Sequence, residues 1–71
     1  MIVKGVADFG QAVKMRRNDL KYSQKYVSEV TGLSASFISN LENGKDTAEL
    51  GKAILLAKVL GMDLELSVRG K

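Results

Sequence analysis

A chain of 71 residues forms one domain with a thin core, and the usual reinforcement for such a domain is a disulfide, a metal or a second copy. The absence of cysteine and histidine excludes a disulfide, a thiolate or imidazole metal site and the common nucleophile–base pairs, so no catalytic constellation and no cofactor is expected. Eleven Lys or Arg against eight Asp or Glu leave a net charge of +3, a mild basic bias that weakly favours a polyanionic partner. No apolar run approaches the roughly 18 residues of a membrane span. The opening "MIVKGVADFG" lacks the apolar core of a signal peptide, so a cytoplasmic protein with no membrane partner is expected.

Taken in chain order, the pattern predicts four helices and a strand. A first helix over residues 6–20 places Phe9, Val13 and Leu20 within one arc at about 100° per residue. Ala12 lies beside that arc, and Arg16 and Arg17 border it. A second helix, 24–31, has Ser23 as N-cap, since its hydroxyl accepts from a free backbone N–H. Val27 and Thr31, with Val30 or Tyr26, are expected to face inward. Gly32 ends this helix in the left-handed conformation that glycine enters without strain. A third helix, 34–43, starts at the N-cap Ser34 and turns Phe37, Ile38 and Leu41 inward, with Gly44 as its stop.

The fourth helix starts at Thr47 or Ala48 and ends near Leu60, with Gly61 as its stop. Leu50, Ala53, Ile54, Ala57 and Leu60 mark its buried stripe, which Leu56 and Val59 widen toward a second contact surface. In the final segment "MDLELSVR", residues 62–69, Met62, Leu64, Leu66 and Val68 alternate with polar residues. Period two predicts a half-buried strand, which needs a partner for its backbone. Either "MIVK" of the same chain or the same strand of a second subunit fits. Burial of Met62, Leu64, Leu66 and Val68 favours the second, and hence a homodimer.

The outward face of the third helix carries the chemistry. Ala35, Ser36, Ser39, Asn40 and Asn43 point away from its apolar side. Small side chains let a helix come close to base edges in the DNA major groove. Ser and Asn both donate and accept there, Asn bidentately to adenine, and an alanine methyl meets a thymine methyl. Two short helices joined by "TGLS" have the spacing of a helix-turn-helix. Tyr22, Tyr26 and Phe9 read as core rather than stacking platforms. Lys14, Arg16, Lys21, Lys25, Lys45 and Lys52 fit a solvated face as well as a phosphate-binding one.

Residues 9–61 resemble the lambda-repressor/Cro (Xre-type) helix-turn-helix family through "VKMRRNDLKYSQKYVSEVTGLSASFISNLENGK". The resemblance implies an all-α, four-helix, lambda-repressor-like DNA-binding domain. It spans residues 1–71 as one unit, with its core at about 6–61 and a C-terminal dimerising strand at 62–69. It implies base reading by Ala35, Ser36, Ser39 and Asn40 of the recognition helix. Gln24, Lys25, Ser34, Asn43 and Lys45 are expected at phosphates, and Arg17 is expected to pair structurally with Glu42. Three positions depart from the family pattern: Lys21 stands where the first helix commonly ends in glycine, and Val27-Ser28 replaces a Leu-Ala pair.

The C-terminal half, "ENGKDTAELGKAILLAKVLGMDLELSVRG", is similar to short antitoxins of the HipB type. That resemblance implies a repressor of its own operon, bound to a palindromic double-stranded operator as a homodimer, with a toxin partner of the HipA kinase type. A stand-alone phage-type or housekeeping repressor, or an interaction module that does not bind DNA, are the alternatives.

Overall fold

The computed structural model describes residues 2–45 and 49–70. Among these residues it holds four helices: α1 (Val6–Asp19), α2 (Gln24–Thr31), α3 (Ala35–Glu42) and α4 (Leu50–Val59). The predicted start of the fourth helix at Thr47 or Ala48 lies outside the described residues. Among the described residues no helix is long and apolar enough to cross a membrane.

Local chemistry sets the helix starts. The Ser23 hydroxyl accepts from the Tyr26 backbone N–H at 2.9 Å, and the Ser34 hydroxyl accepts from that of Phe37 at 3.0 Å. Each satisfies an N–H with no partner inside its helix. Three helices end alike. After α3, Gly44 N–H donates to Leu41 O and Lys45 N–H to Asn40 O, both at 3.0 Å, which is the Schellman pattern. Gly44 has φ 78° there and also packs against Ala7 of α1, where an added Cβ would come within 3.1 Å of the Ala7 backbone. After α4 the same pair runs from Gly61 to Lys58 and from Met62 to Ala57.

At the end of α1 the pattern is repeated without glycine. Lys21 N–H donates to Asn18 O and Tyr22 N–H to Arg17 O, with Lys21 at φ 61°. A side chain in that conformation costs about 1–2 kcal/mol, partly offset by the greater entropy glycine loses on folding, about 0.5–1 kcal/mol. Lys21→Gly is therefore expected to stabilise the domain by about 0.5–1 kcal/mol. A thermal melt followed by circular dichroism checks this, and an unchanged or lower midpoint contradicts it.

The core gathers Val13 of α1, Val27 of α2, Leu33 of the turn, Ile38 and Leu41 of α3, and Ala53, Leu56 and Leu60 of α4. Phe9, Leu20, Tyr22, Phe37 and Met62 pack against it from the edge. Gly10 is buried where α1 crosses α3, and its missing side chain is what lets the backbones touch: a Cβ there would overlap the Leu41 carbonyl.

Three expectations are corrected. The α4 stripe buries Ala53, Ala57 and Leu60 as expected but shifts toward fully buried Leu56 and away from Leu50, which is 68% exposed. Leu50 opens the helix, ahead of the turn that reaches the core. Neither Tyr26 nor Val30 is buried; α2 is short and reaches the core through Val27, supported by half-buried Thr31 and Ser28. Residues 62–69 form no strand within one chain, and no strand occurs among the described residues. Met62 packs on the core, but Leu66 and Val68 are 92% and 90% exposed. A lone extended segment has no ladder partner, and Ile2, Val3 and Lys4 do not supply one.

Candidate nucleic-acid interface

The turn between α2 and α3 is fixed by side chains. Thr31 Oγ1 donates to Val27 O at 2.8 Å and accepts from Leu33 N–H at 3.1 Å. Ser28 Oγ donates to Leu33 O at 2.6 Å, so the serine in place of the family's alanine ties α2 to the turn. Gly32, at φ 78°, turns the chain, and buried Leu33 anchors it.

The far end of α3 is held by charge. Arg17 Nε donates to Glu42 Oε2 at 2.7 Å and Arg17 Nη2 to Oε1 at 2.9 Å, a two-pronged pair. Arg17 Nη1 donates to the Tyr22 carbonyl at 2.8 Å. Gln24 Nε2 donates to Glu42 Oε1 at 3.0 Å. The Glu42 side chain is 2% exposed and that of Arg17 11%, so each charge depends on the other for solvation. The hydrogen bond that Arg17 donates to Glu42 holds its guanidinium above its ordinary pKa, with burial acting the other way. The N-terminus of α2 is thereby brought to the C-terminal end of α3.

Between these two fixed ends, Ala35, Ser36, Asn40 and Asn43 are exposed and Ser39 is half-buried, on the side away from Ile38 and Leu41. No long side chain stands among them. Asn43 Nδ2 lies 3.5 Å from Ser39 Oγ. Lys25, Ser34 and Lys45 are exposed around this face. Gln24 is half-buried, with one amide proton given to Glu42. Leu64, Leu66 and Val68 lie exposed in the tail, apart from Met62 on the core.

Sequence reasoning missed several supports. Gln24 and the Tyr22 carbonyl complete the Arg17–Glu42 pair. Arg16 Nε donates to the Leu60 carbonyl at 2.8 Å, closing the end of α4 from α1. That bond was detectable only as a basic residue on the border of the α1 arc. Tyr22 and Tyr26 stack obliquely with ring centroids 4.8 Å apart, which keeps Tyr26 at the surface beside the core.

A family model described as helix-turn-helix matches residues 13–66. An uncharacterized HTH-type transcriptional regulator, y4mF, of Sinorhizobium fredii is 32% identical over 69 residues, covering 97% of this chain and 91% of the relative. Two solved structures, a HipB–O4 20mer complex and a HipA–HipB–O2–O3 complex, each match with a TM-score of 0.88 at 20% identity, over 99% of both chains. At that identity the structural likeness speaks for the fold. The family match takes in α2, the turn, α3 and α4, and the bacterial relative extends it over almost the whole chain. This chain belongs to the helix-turn-helix family, of the lambda-repressor/Cro (Xre) type.

Proposed function

We propose that the chain is a transcriptional repressor that binds a palindromic operator as a homodimer, and that it serves as a HipB-like antitoxin for a HipA-type kinase in the cytoplasm. One observation carries the DNA reading: α3 presents an uncharged, low-relief face of Ala35, Ser36, Ser39, Asn40 and Asn43 between ends locked by Ser34 and by Arg17–Glu42. A rigid helix with short side chains suits the floor of the major groove, where hydrogen bonds to base edges select sequence. Ala35, Ser36, Ser39 and Asn40 read bases. Gln24, through its second amide N–H, and Lys25, Ser34, Asn43 and Lys45 hold phosphates.

The antitoxin role and the dimer have separate support. The matched structures hold HipB with an O4 20mer and with HipA and O2–O3, and the match covers the tail as well as the helices. The tail leaves Leu66 and Val68 uncovered in one chain. Pairing with the tail of a second copy would satisfy its backbone and cover these side chains. Such a dimer would present two α3 helices to successive turns of one DNA face, about 34 Å apart.

Asn40→Ala tests the reading face. It is expected to reduce discrimination between operator and scrambled duplex by about 1–3 kcal/mol in a competition mobility-shift assay with DNA from upstream of its own gene. Unchanged discrimination would show that the face is misplaced. Affinity purification from cells tests the antitoxin role, with a stoichiometric kinase-sized partner expected. DNA binding without a partner would identify a stand-alone repressor, and a partner without DNA binding an interaction module.

A further inference from the structure

The phosphate contacts proposed above lie on α2 or at the ends of α3, yet a helix seated in the major groove runs between two phosphate strands. Viewed end on at about 100° per residue, α3 has different neighbours on its two flanks. Glu42 borders the outward face on one side, about 20° from Ala35, and there it meets Arg17 and the first residue of α2, Gln24. Phe37 borders the face on the opposite side, about 60° from Asn40. Above the Phe37 ring stands Lys52 of α4, its Nζ 5.9 Å from the ring centroid.

Lys52 is held at this position by two weak contacts. The ring attracts its ammonium through the negative π face. Glu49, one helical turn earlier, pairs with it at 2.9 Å, and the two side chains are 50% (Lys52) and 68% (Glu49) exposed. An exposed pair at this spacing contributes little to stability and is readily given up. A phosphate brought to the same place carries a full negative charge, attracts the ammonium and repels the carboxylate.

We infer that Lys52 is a further phosphate anchor, on the wall of the major groove opposite Gln24 and Lys25, and that Glu49 is the counter-ion it exchanges for DNA. The inference rests on the DNA-binding reading above and adds a second wall to it. Phe37 then has two roles: it packs against the core, and its ring sets where the ammonium waits. Glu49 sets how much of the basic charge is available before DNA arrives.

Fluorescence anisotropy against salt concentration, with the upstream duplex and a scrambled duplex of equal length, tests this. Lys52→Gln is expected to make the slope of log Kobs against log salt shallower by about 0.9 per protomer on both duplexes, leaving their ratio unchanged. Lys52→Arg is expected to keep the wild-type slope. Glu49→Gln is expected to tighten both duplexes, with a smaller gain when Lys52 is already Gln. A wild type that binds while Lys52→Gln keeps its slope overturns the anchor, and an equal Glu49→Gln gain in both backgrounds overturns the exchange. A wild type that binds neither duplex removes the DNA reading itself and this inference with it. Melting curves should be unchanged in the Lys52 variants, because this side chain is half exposed.

Discussion

Glu42→Ala is expected to destabilise the domain by about 3–5 kcal/mol, the usual consequence of leaving one member of a buried ion pair alone. The carboxylate accepts from Arg17 at 2.7 and 2.9 Å and from Gln24 at 3.0 Å. Without it the guanidinium keeps only the Tyr22 carbonyl and stays charged, since arginine does not release its proton in proteins. A domain of this size loses about 4–8 °C of melting temperature per kcal/mol, so a fall of at least about 12 °C is expected by circular dichroism. The double change Arg17→Met with Glu42→Leu should recover most of the loss, because it removes the stranded charge and retains apolar volume. If Glu42→Ala melts within a few degrees of wild type, the pair does not hold α3 in place.

Gly10→Ala is expected to have an effect of similar size for a different reason. α1 crosses α3 so closely that a methyl group at position 10 would overlap the Leu41 carbonyl and sit 3.2 Å from the Glu42 Cα. Backbone on both sides cannot yield as a flexible side chain would. The helices must separate, at a cost of about 3 kcal/mol, even though alanine is the better helix former by about 1 kcal/mol. The same separation would pull Arg17 from Glu42, so operator binding should fall along with stability. A thermal melt checks it, and a Gly10→Ala protein as stable as wild type would mean that the α1–α3 crossing is wider than described.

The parts of the fold legible in the sequence were those with a local cause. Ser23 and Ser34 mark helix starts, Gly32, Gly44 and Gly61 mark stops, and the boundaries of α2 follow from them. The inward set Phe37, Ile38 and Leu41 was legible because α3 has an apolar and a polar side. In α4 that contrast is missing. Leu50, Ile54, Leu55, Leu56 and Val59 surround the helix, so periodicity admits more than one buried stripe, and packing selects the one that runs through Ala53, Leu56, Ala57 and Leu60. Gly10 offered no signal in a single sequence, since a helical glycine packed against a backbone looks like any other glycine.

The tail shows the limit differently. Alternation in residues 62–69 describes a segment suited to a strand, but it does not contain the partner, and within one chain the segment stays unpaired. In the site, the outward position of Ala35, Ser36, Asn40 and Asn43 follows from helical spacing alone. The bond from Gln24 to Glu42, the Arg16 contact with Leu60 and the seat of Lys52 over Phe37 depend on how separate helices meet. Spacing along the chain carries no record of those contacts.

The proposed dimer sets its two α3 helices into successive major grooves of one operator. Hydroxyl-radical footprinting on the DNA upstream of its own gene tests it most directly. Two matching protected patches related by a two-fold axis are expected, with centres about 10 base pairs apart. A single patch, or no protection at low salt, would contradict it.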